Sequence, residues 1–142
     1  MDRKWMSLCG GLGGLALLGG AAVNVATGQS TGSELPQADL YAIHTSADWC
    51  PHCQKINATI PDVHAALADK DVLFLDLDVT NKQAKHQSAL HVEALGLDSF
   101  FETSGRKHGR LYLVRPSSGE VLETITSSAT AEEIVATINA AI

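Results

Sequence analysis

The sequence predicts an α/β domain in the order β-α-β-α-β-β-α, with one four-stranded mixed sheet and helices on both of its faces. Two observations predict this class. Short apolar runs alternate with segments of helical period through the first half of the domain, which indicates a βαβ unit with parallel strands. Two further strand patterns joined by a turn, followed by an amphipathic segment, indicate a ββα unit that adds antiparallel strands to the same sheet.

Composition and charge exclude several classes of protein. The chain has 142 residues, of which 45% are hydrophobic and 18% charged, and this fits one globular domain rather than a disordered chain. Its formal charge of −6 gives no support for a polyanion-binding surface, so we expect no nucleic-acid partner. Three cysteines are too few for a disulfide-stapled mini-protein.

The N-terminal segment has the layout of a secretory signal peptide. Arg3 and Lys4 precede a Gly-rich apolar run over 8–23, and small residues follow up to Gly28. A membrane-spanning helix needs about 20 firmly apolar residues, so an uncleaved anchor is the weaker alternative. We therefore predict a signal peptide over 1–28 and an exported, periplasmic protein, which meets the membrane only through this segment if it stays uncleaved.

A polar tether and the first two elements follow. Residues 29–37 are predicted to be a flexible tether, so the folded domain is expected over 38–142, beginning with a strand at 40–46. Apolar residues then recur at spacings of four, three and four, which predicts one buried helix face: Ile56, Ile60, Val63 and Leu67. Pro61 interrupts this helix, which we expect to kink near Asn57 or to split into two.

The next strand and helix are predicted from residue 72 onwards. Residues 72–79 begin as a continuous apolar run and end with alternating aspartates, a pattern typical of a central strand whose end emerges into solvent. Thr80 with Gln83 matches a capping box that opens a helix. Gly96 is suited to closing that helix.

The C-terminal third combines an irregular segment, a hairpin and a helix. Residues 97–108 show no clear period, although their two adjacent phenylalanines need packing partners. Strands are predicted at 111–114 and 121–126, joined as a hairpin by a Pro-Ser-Ser-Gly turn. Thr130 with Glu133 is a second capping box, and it opens the final helix. One face of that helix is apolar, and its members are Ile134, Val135, Ile138 and Ile142.

The motif Cys50-Pro51-His52-Cys53 follows the first strand and begins the first helix. Pro51 is favourable at the first helical position, where its missing N–H costs nothing. Helical residues three apart lie on the same face, close enough for a disulfide to open and close. Cys50 faces the unpaired N–H groups and the positive end of the helix, which stabilise a thiolate. We therefore predict Cys50 as the nucleophile and Cys53, one turn deeper, as the resolving thiol.

His52 lies between the two cysteines and is predicted as a third catalytic residue. Its imidazole adds a donor, and a positive charge when protonated, beside the Cys50 thiolate. This favours the reduced form and makes the disulfide a stronger oxidant. A static structural disulfide is the alternative for the pair, but a ring of four residues constrains little chain entropy.

The Trp-Cys-Pro-His-Cys segment at 49–53, within the predicted element order, resembles the thioredoxin superfamily over about 38–142. The Cys-Pro-His-Cys motif is similar to that of periplasmic DsbA-type disulfide oxidants, and residues 75–80 are similar to the second strand of small periplasmic thioredoxin-like proteins. The resemblance implies a thioredoxin-like fold and thiol-disulfide exchange without an organic cofactor. It also implies protein thiol and disulfide substrates and a redox partner protein. The direction of electron flow stays open, because a periplasmic reductase would use the same residues.

Two positions depart from the pattern of this superfamily. Its members usually place a cis-proline before the third core strand, facing the cysteines, whereas this chain has Gly109 or Arg110 there. We predict that these two residues and Trp49 contact the substrate. His44, six residues before Cys50, takes the position of a buried acid that relays the proton of the resolving cysteine. A hydrogen-bonded strand histidine is the favoured role for His44, with a relay as the alternative. The remaining histidines are predicted to be solvated: His64, His86, His91 and His108.

A second class of function is open from the same residues. Two thiolates with His52 between them, and His44 behind, are soft ligands suited to Cu(I) or Zn(II). The motif supplies only two cysteine ligands, whereas a closed zinc site requires four ligands. A periplasmic copper- or zinc-binding chaperone is therefore the alternative to the oxidoreductase. A binding module whose disulfide senses redox state is a third hypothesis.

Overall fold

The computed structural model describes residues 37–142. The predicted signal peptide 1–28, and the predicted tether 29–37 except for its last residue, lie outside the described residues. The elements are β1 (Leu40–Ser46), α1 (Pro51–Ala66), β2 (Val72–Asp78), α2 (Lys82–Ala94), α3 (Asp98–Phe100), a π-helical turn (Phe101–Gly105), β3 (Arg110–Val114), β4 (Val121–Thr126) and α4 (Ala131–Ala141). Within 37–142, no helix is long and apolar enough to cross a membrane.

The four strands form one mixed sheet in the order β2-β1-β3-β4. β1 pairs parallel with β2 and antiparallel with β3, and β3 pairs antiparallel with β4. The two parallel strands are joined through α1, since a parallel pair needs a long crossover connection. The end of β1, from which α1 starts, is therefore flanked by the residues that follow β2 and by those that precede β3.

Alternate residues of the strands bury two apolar cores, one on each face of the sheet. The core on the side of α2 and α3 contains Tyr41, Ile43, Leu77, Val92, Leu95, Leu97, Phe100, Phe101, Tyr112 and Val114. The core on the side of α1 and α4 contains Leu40, Ala42, Val63, Leu67, Leu111, Leu113, Ile125, Ile134 and Ile138. The predicted arrangement of helices on both faces is confirmed.

The prediction that the 72–79 run is a central strand is wrong, because β2 lies at an edge of the sheet. Leu73 and Leu75 pack against one core, and Val72 and Phe74 pack against the other. A strand with both faces covered has a continuous apolar sequence whether or not it has a neighbour on each side. The position of a strand in the sheet is set by pairing with distant residues, and the run does not encode it.

The first helix continues through Pro61 as one helix of 16 residues, neither split nor ended there. Ile56 and Val63 are buried and Ile60 is half-buried, so the predicted face packs against the sheet. Pro61 itself is exposed, on the side of α1 away from the core.

Asn81, rather than Thr80, caps the second helix. The Asn81 side chain accepts hydrogen bonds from the backbone N–H groups of Gln83 (2.9 Å) and Ala84 (3.0 Å). Asparagine is at least as favourable as threonine at the N-cap. The predicted capping box between Thr80 and Gln83 is therefore wrong, and the next residue, Asn81, is the N-cap. Gly96, at φ +69°, ends the helix as predicted, and Leu97 N–H donates to Val92 C=O at 2.8 Å.

The segment 97–108 is more ordered than predicted. It contains α3 and the π-helical turn, and it buries Phe100 and Phe101 in the core beside α2. The final helix has the predicted capping box between Thr130 and Glu133. Ile142 lies beyond the end of α4 and is 50% exposed, so it does not belong to the predicted buried face.

Candidate active site

Cys50 lies where β1 turns into α1 and is the N-cap residue of that helix. Its backbone is extended (φ −97°, ψ 110°), and its N–H donates to Ala47 C=O at 3.0 Å. Pro51 occupies the first helical turn, as the sequence predicts. The Cys50 sulfur therefore lies beside the free N–H groups and the positive end of a helix of 16 residues.

Thr80, which follows β2, holds the turn before Cys50 in place. Its hydroxyl accepts a hydrogen bond from Asp48 N–H at 3.0 Å, and its carbonyl accepts one from Trp49 Nε1 at 3.1 Å. The Thr80 hydroxyl is used in this turn, whereas Asn81 caps α2. The turn that presents the motif is thus tied to the neighbouring parallel strand.

Three hydrogen-bonding groups, two of them from Cys53, lie against the Cys50 sulfur. The backbone N–H of Cys53 donates to Cys50 Sγ at 3.2 Å, and His108 Nδ1 lies 3.3 Å from the same sulfur. The Cys53 thiol is also in hydrogen-bond contact with Cys50. Donors to a sulfur stabilise a thiolate over a thiol.

Cys53 lies one turn deeper in an environment that holds its proton. Burial raises the pKa of the Cys53 thiol to about 11, and the hydrogen bond and charge of Cys50 act in the same direction. Its sulfur lies 3.8 Å from Thr45 C=O. Both cysteines are free thiols with 1% of their surface exposed, so Cys50 is as well covered as Cys53.

The histidine beside the nucleophile is His108, not His52. His52 is on α1, but its Nδ1 lies 2.8 Å from Ser127 Oγ, in the segment between β4 and α4. His108 is an exposed loop residue, as predicted, but its Nδ1 also contacts the Cys50 sulfur. The sequence contains a signal for this contact. His108 directly precedes Gly109, which is aligned with the family position that faces the cysteines.

Gly109, rather than Arg110, is the residue that faces the cysteine pair. Its N–H donates to Thr45 C=O at 2.9 Å, and its φ of +74° is in the left-handed region. A Cβ at this position would lie 3.0 Å from His52 Cβ and 3.4 Å from Cys50 Sγ. Arg110 is exposed at the start of β3. The backbone therefore approaches the sulfurs closely at a residue without a side chain.

Comparison with known proteins supports the assignment to a family. The family model described as Thioredoxin matches residues 22–108, which is more than half of the chain. The chain belongs to the thioredoxin family. Its thioredoxin-like fold and its Cys-x-x-Cys pair indicate thiol oxidoreductase chemistry in general terms.

Two solved structures are among those similar to this chain. Trxlp from Edwardsiella tarda EIB202 has 15% identity and a TM-score of 0.48, with 72% of this chain and 84% of that chain covered. Tryparedoxin II from C. fasciculata has 20% identity and a TM-score of 0.39, with 63% of this chain and 66% of that chain covered. No curated protein sequence matches the chain.

Trp49 forms an exposed aromatic surface next to the thiols. It is 58% exposed, and its ring meets the His108 imidazole edge to face, with centroids 4.6 Å apart. The hydrogen bond from its Nε1 to Thr80 fixes one end of the ring and leaves the remainder open to solvent. This is the geometry of an aromatic residue that can contact a partner beside a reactive thiol.

His44 is buried in β1 but is not connected to the cysteines. Its Nδ1 lies 3.9 Å from Asp76 Oδ2, which is too long for a hydrogen bond, and its Nε2 has no hydrogen-bond partner. The favoured role as a hydrogen-bonded strand histidine is therefore wrong. The groups that shift the pKa of Cys53 are Cys50, Ala47 and Gly109, and His44 is not among them. Burial lowers the pKa of His44, and Asp76 opposes this in part.

His44 also lines a cavity of about 150 Å³ between α1 and β2. The other lining residues include Asn57, His64 and Asp76. The His64 ring packs against Phe74, with centroids 4.1 Å apart, so His64 is more than a solvated helix residue.

Proposed function

We propose that this protein is an exported thiol-disulfide oxidoreductase that exchanges disulfides with protein thiols. Cys50 is the nucleophile and Cys53 the resolving thiol. The observation that supports this most directly is the set of donors against the Cys50 sulfur, from Cys53 N–H, His108 and the Cys53 thiol. They stabilise one thiolate of the pair and leave the proton on the other.

The first step is attack by the Cys50 thiolate on one sulfur of a substrate disulfide. The substrate S–S bond breaks, a mixed disulfide forms between Cys50 and the substrate, and the second substrate sulfur leaves as a thiolate that takes a proton. Cys50 Sγ is almost fully covered, and His108 is in contact with it. The substrate therefore displaces the His108 ring as it approaches the sulfur.

The second step is attack by Cys53 on the Cys50 sulfur of the mixed disulfide. Cys53 loses its proton and forms the Cys50–Cys53 disulfide, the bond between Cys50 and the substrate breaks, and the substrate sulfur leaves as a thiolate that takes a proton. The substrate is then reduced by two electrons and the protein is oxidised. Two causes of the raised pKa of Cys53, the hydrogen bond and the charge of Cys50, disappear once Cys50 is in the mixed disulfide. Formation of the mixed disulfide thus prepares Cys53 for attack.

His108 is proposed as the residue that stabilises the Cys50 thiolate, in place of the predicted His52. Its Nδ1 at 3.3 Å from Sγ donates to the thiolate in the corresponding tautomer or in the protonated form. A donor to the thiolate favours the reduced protein and raises the reduction potential of the couple. His52, bound to Ser127, instead ties the start of α1 to the segment before α4.

Trp49 and Gly109 are proposed to form the contact surface for the substrate protein. Trp49 offers exposed aromatic area, and Gly109 keeps the backbone close to the sulfurs without a side chain in the way. Arg110 is exposed on the same segment and is proposed to lie at the rim of this surface. The sequence over 1–28 supports export, and the exchange chemistry needs no organic cofactor.

The experiment that tests the mechanism uses the full chain with Cys9→Ser, so that Cys50 and Cys53 are the only thiols. Cys50→Ser should abolish disulfide exchange with a protein substrate. Cys53→Ser should accumulate mixed disulfides, which non-reducing electrophoresis and mass spectrometry detect on Cys50. Undiminished exchange by the Cys50→Ser protein would contradict the mechanism.

The reduction potential of the couple then assigns the direction of electron flow. It is measured by equilibration with glutathione buffers under metal-free conditions. A value near the DsbA end of the range, about −120 mV, indicates a disulfide donor, and a value near about −270 mV indicates a reductase. A couple that does not equilibrate with thiols at all would overturn the proposed function.

A further inference from the structure

The two thiols and His108 form a compact set of metal-ligating atoms. Cys50 Sγ, Cys53 Sγ and a ring nitrogen of His108 all lie within 4.8 Å of one another. An ion at about 2.3 Å from each sulfur, in trigonal or tetrahedral geometry, places two sulfurs about 4 Å apart. The three ligand atoms are therefore near the positions that one ion requires, without rearrangement of the backbone.

The three ligands come from elements that the fold holds together. Cys50 and Cys53 share the first turn of α1, and His108 precedes Gly109, whose N–H is bound to Thr45 of β1. Gly109 lets the His108 segment approach, since a Cβ there would lie 3.0 Å from His52 Cβ, which is tighter than an ordinary contact. The sequence alone favours His52 as the imidazole ligand, but His52 Nδ1 is engaged by Ser127.

We propose that the reduced protein binds one Cu(I) ion through Cys50, Cys53 and His108. Two thiolates and an imidazole are soft ligands that favour Cu(I) and Zn(II) over hard cations. Among residues 37–142, no fourth Cys, His, Asp or Glu joins the group, and a closed zinc site requires four ligands. Both cysteines are 1% exposed whereas His108 is exposed, so the sulfur side of the site is closed to water and only the imidazole side is open. Cu(I) is satisfied by three ligands, and the site therefore favours it over Zn(II).

This proposal goes beyond the proposed disulfide exchange, although it uses the same sulfurs. A bound Cu(I) occupies both thiolates, so the metal and the Cys50–Cys53 disulfide exclude each other. We expect Cu(I) to block exchange, and oxidation of the pair to abolish Cu(I) binding. Cu(I) binding and disulfide exchange are measured independently, so either proposal can fail without the other.

Competition for Cu(I) against a chromophoric chelator tests the proposal, with the full chain carrying Cys9→Ser under anaerobic, reducing conditions. We expect one Cu(I) per chain, and we expect His108→Ala to weaken binding by about tenfold or more, since even residues that only support metal ligands cost that much. His86→Ala, which removes an exposed histidine of α2, is the matched control and should leave the affinity unchanged. X-ray absorption at the copper edge should show two sulfur neighbours and one nitrogen neighbour.

Three results would overturn the assignment. These are no stoichiometric Cu(I) in the presence of the chelator, a loss of affinity in His52→Ala rather than in His108→Ala, and tighter retention of Zn(II) than of Cu(I) in parallel competition. Circular dichroism of each variant shows whether a loss arises from unfolding. Disulfide exchange by the same metal-free preparations shows whether the proposed function holds when metal binding fails.

Discussion

The chemistry of this protein depends on the different environments of two sulfurs that are only three positions apart in the chain. Cys50 receives hydrogen bonds from Cys53 N–H and contacts His108, whereas Cys53 is buried and holds a proton with a pKa of about 11. The asymmetry follows from position in the helix, because the N-cap residue faces the free N–H groups and the residue one turn on does not. His108 adds a side-chain hydrogen bond to the Cys50 thiolate, which the helix alone cannot supply.

Replacing His108 tests that contribution. We expect His108→Ala to make the couple more reducing, because the reduced form loses a donor to its thiolate. A hydrogen bond to a charged group contributes about 1.5 kcal/mol or more, so the expected shift is about 30 mV toward negative potential. The measurement is glutathione-buffer equilibration of the metal-free protein, with His86→Ala as the control. An unchanged potential would show that His108 only packs against Cys50.

The residues of the site differ in how far the sequence alone could predict them. Cys50, Pro51 and Cys53 form a local pattern whose helical spacing and cap preference follow from the chain itself. His108 is 58 positions from Cys50, and only the packing of the β3 end against β1 brings the two together. The local pattern favours His52, whereas in the fold its Nδ1 contacts Ser127, a long-range contact that no local pattern encodes.

At the scale of elements, the site is the meeting point of three chain segments around the end of β1. The turn before Cys50 is held by Thr80 after β2, and the His108–Gly109 segment before β3 is held by Thr45 of β1. Gly109 is a position where this arrangement favours a glycine, because its φ of +74° is left-handed and a Cβ there would lie 3.0 Å from His52 Cβ.

Gly109→Ala and Gly96→Ala form a matched pair that separates these two requirements. Both glycines have left-handed backbone, and a Cβ at Gly96 would contact nothing within 4 Å. We expect each substitution to lower the free energy of unfolding by about 1–2 kcal/mol from backbone strain. Gly109→Ala should lose more stability than Gly96→Ala, and it alone should slow disulfide exchange, because its Cβ would lie 3.0 Å from His52 Cβ and in contact with Cys50 Sγ. Urea denaturation and an exchange assay on both variants measure this.

The contrary outcome would be equal stability losses with exchange unchanged in both variants. The close approach of Gly109 to the sulfurs would then have no consequence for the reaction. A loss of stability greater in Gly96→Ala would instead show that the end of α2 is more constrained than the segment before β3.

Elements with local signals were predicted closely, and those that depend on pairing were not. β1, β4 and the start of α4 coincide with their predictions, since their short apolar segments and the Thr130–Glu133 capping box are local signals. The edge position of β2 depends on which strands pair. The ordered structure of 97–108 depends on a core into which Phe100 and Phe101 pack.

For the whole molecule, a sheet covered on both faces leaves few places for a polar group inside. His44 is one such group: it is 4% exposed in the middle of the sheet, beside the cavity that Asp76 and His64 also line. Its Nε2 has no hydrogen-bond partner, and its nearest charge, Asp76, is 3.9 Å from Nδ1. Burial disfavours the charged form of an imidazole in this position relative to the neutral form, so His44 links the stability of the entire fold to pH.

His44 is expected to make the protein less stable as the pH falls below about 6.5. Burial lowers its pKa in the folded state, with Asp76 in partial opposition, whereas the unfolded chain titrates near the ordinary value. Between the two values the unfolded state binds the additional proton, so the free energy of unfolding decreases with decreasing pH. One proton of difference gives at most about 1.4 kcal/mol per pH unit. Below the folded pKa both states are protonated, and the dependence from His44 ends.

Urea denaturation of the wild-type protein and His44→Gln at pH 7.5 and 5.5 measures this linkage. Glutamine keeps a polar side chain in β1 and removes the titration, while Asp76 and His64 remain in both proteins. The loss of stability between the two pH values should be smaller in His44→Gln, and His86→Gln on the exposed face of α2 should behave as wild type. An equal loss in wild type and His44→Gln would mean that the folded protein accommodates the charged imidazole, with Asp76 compensating fully for its burial.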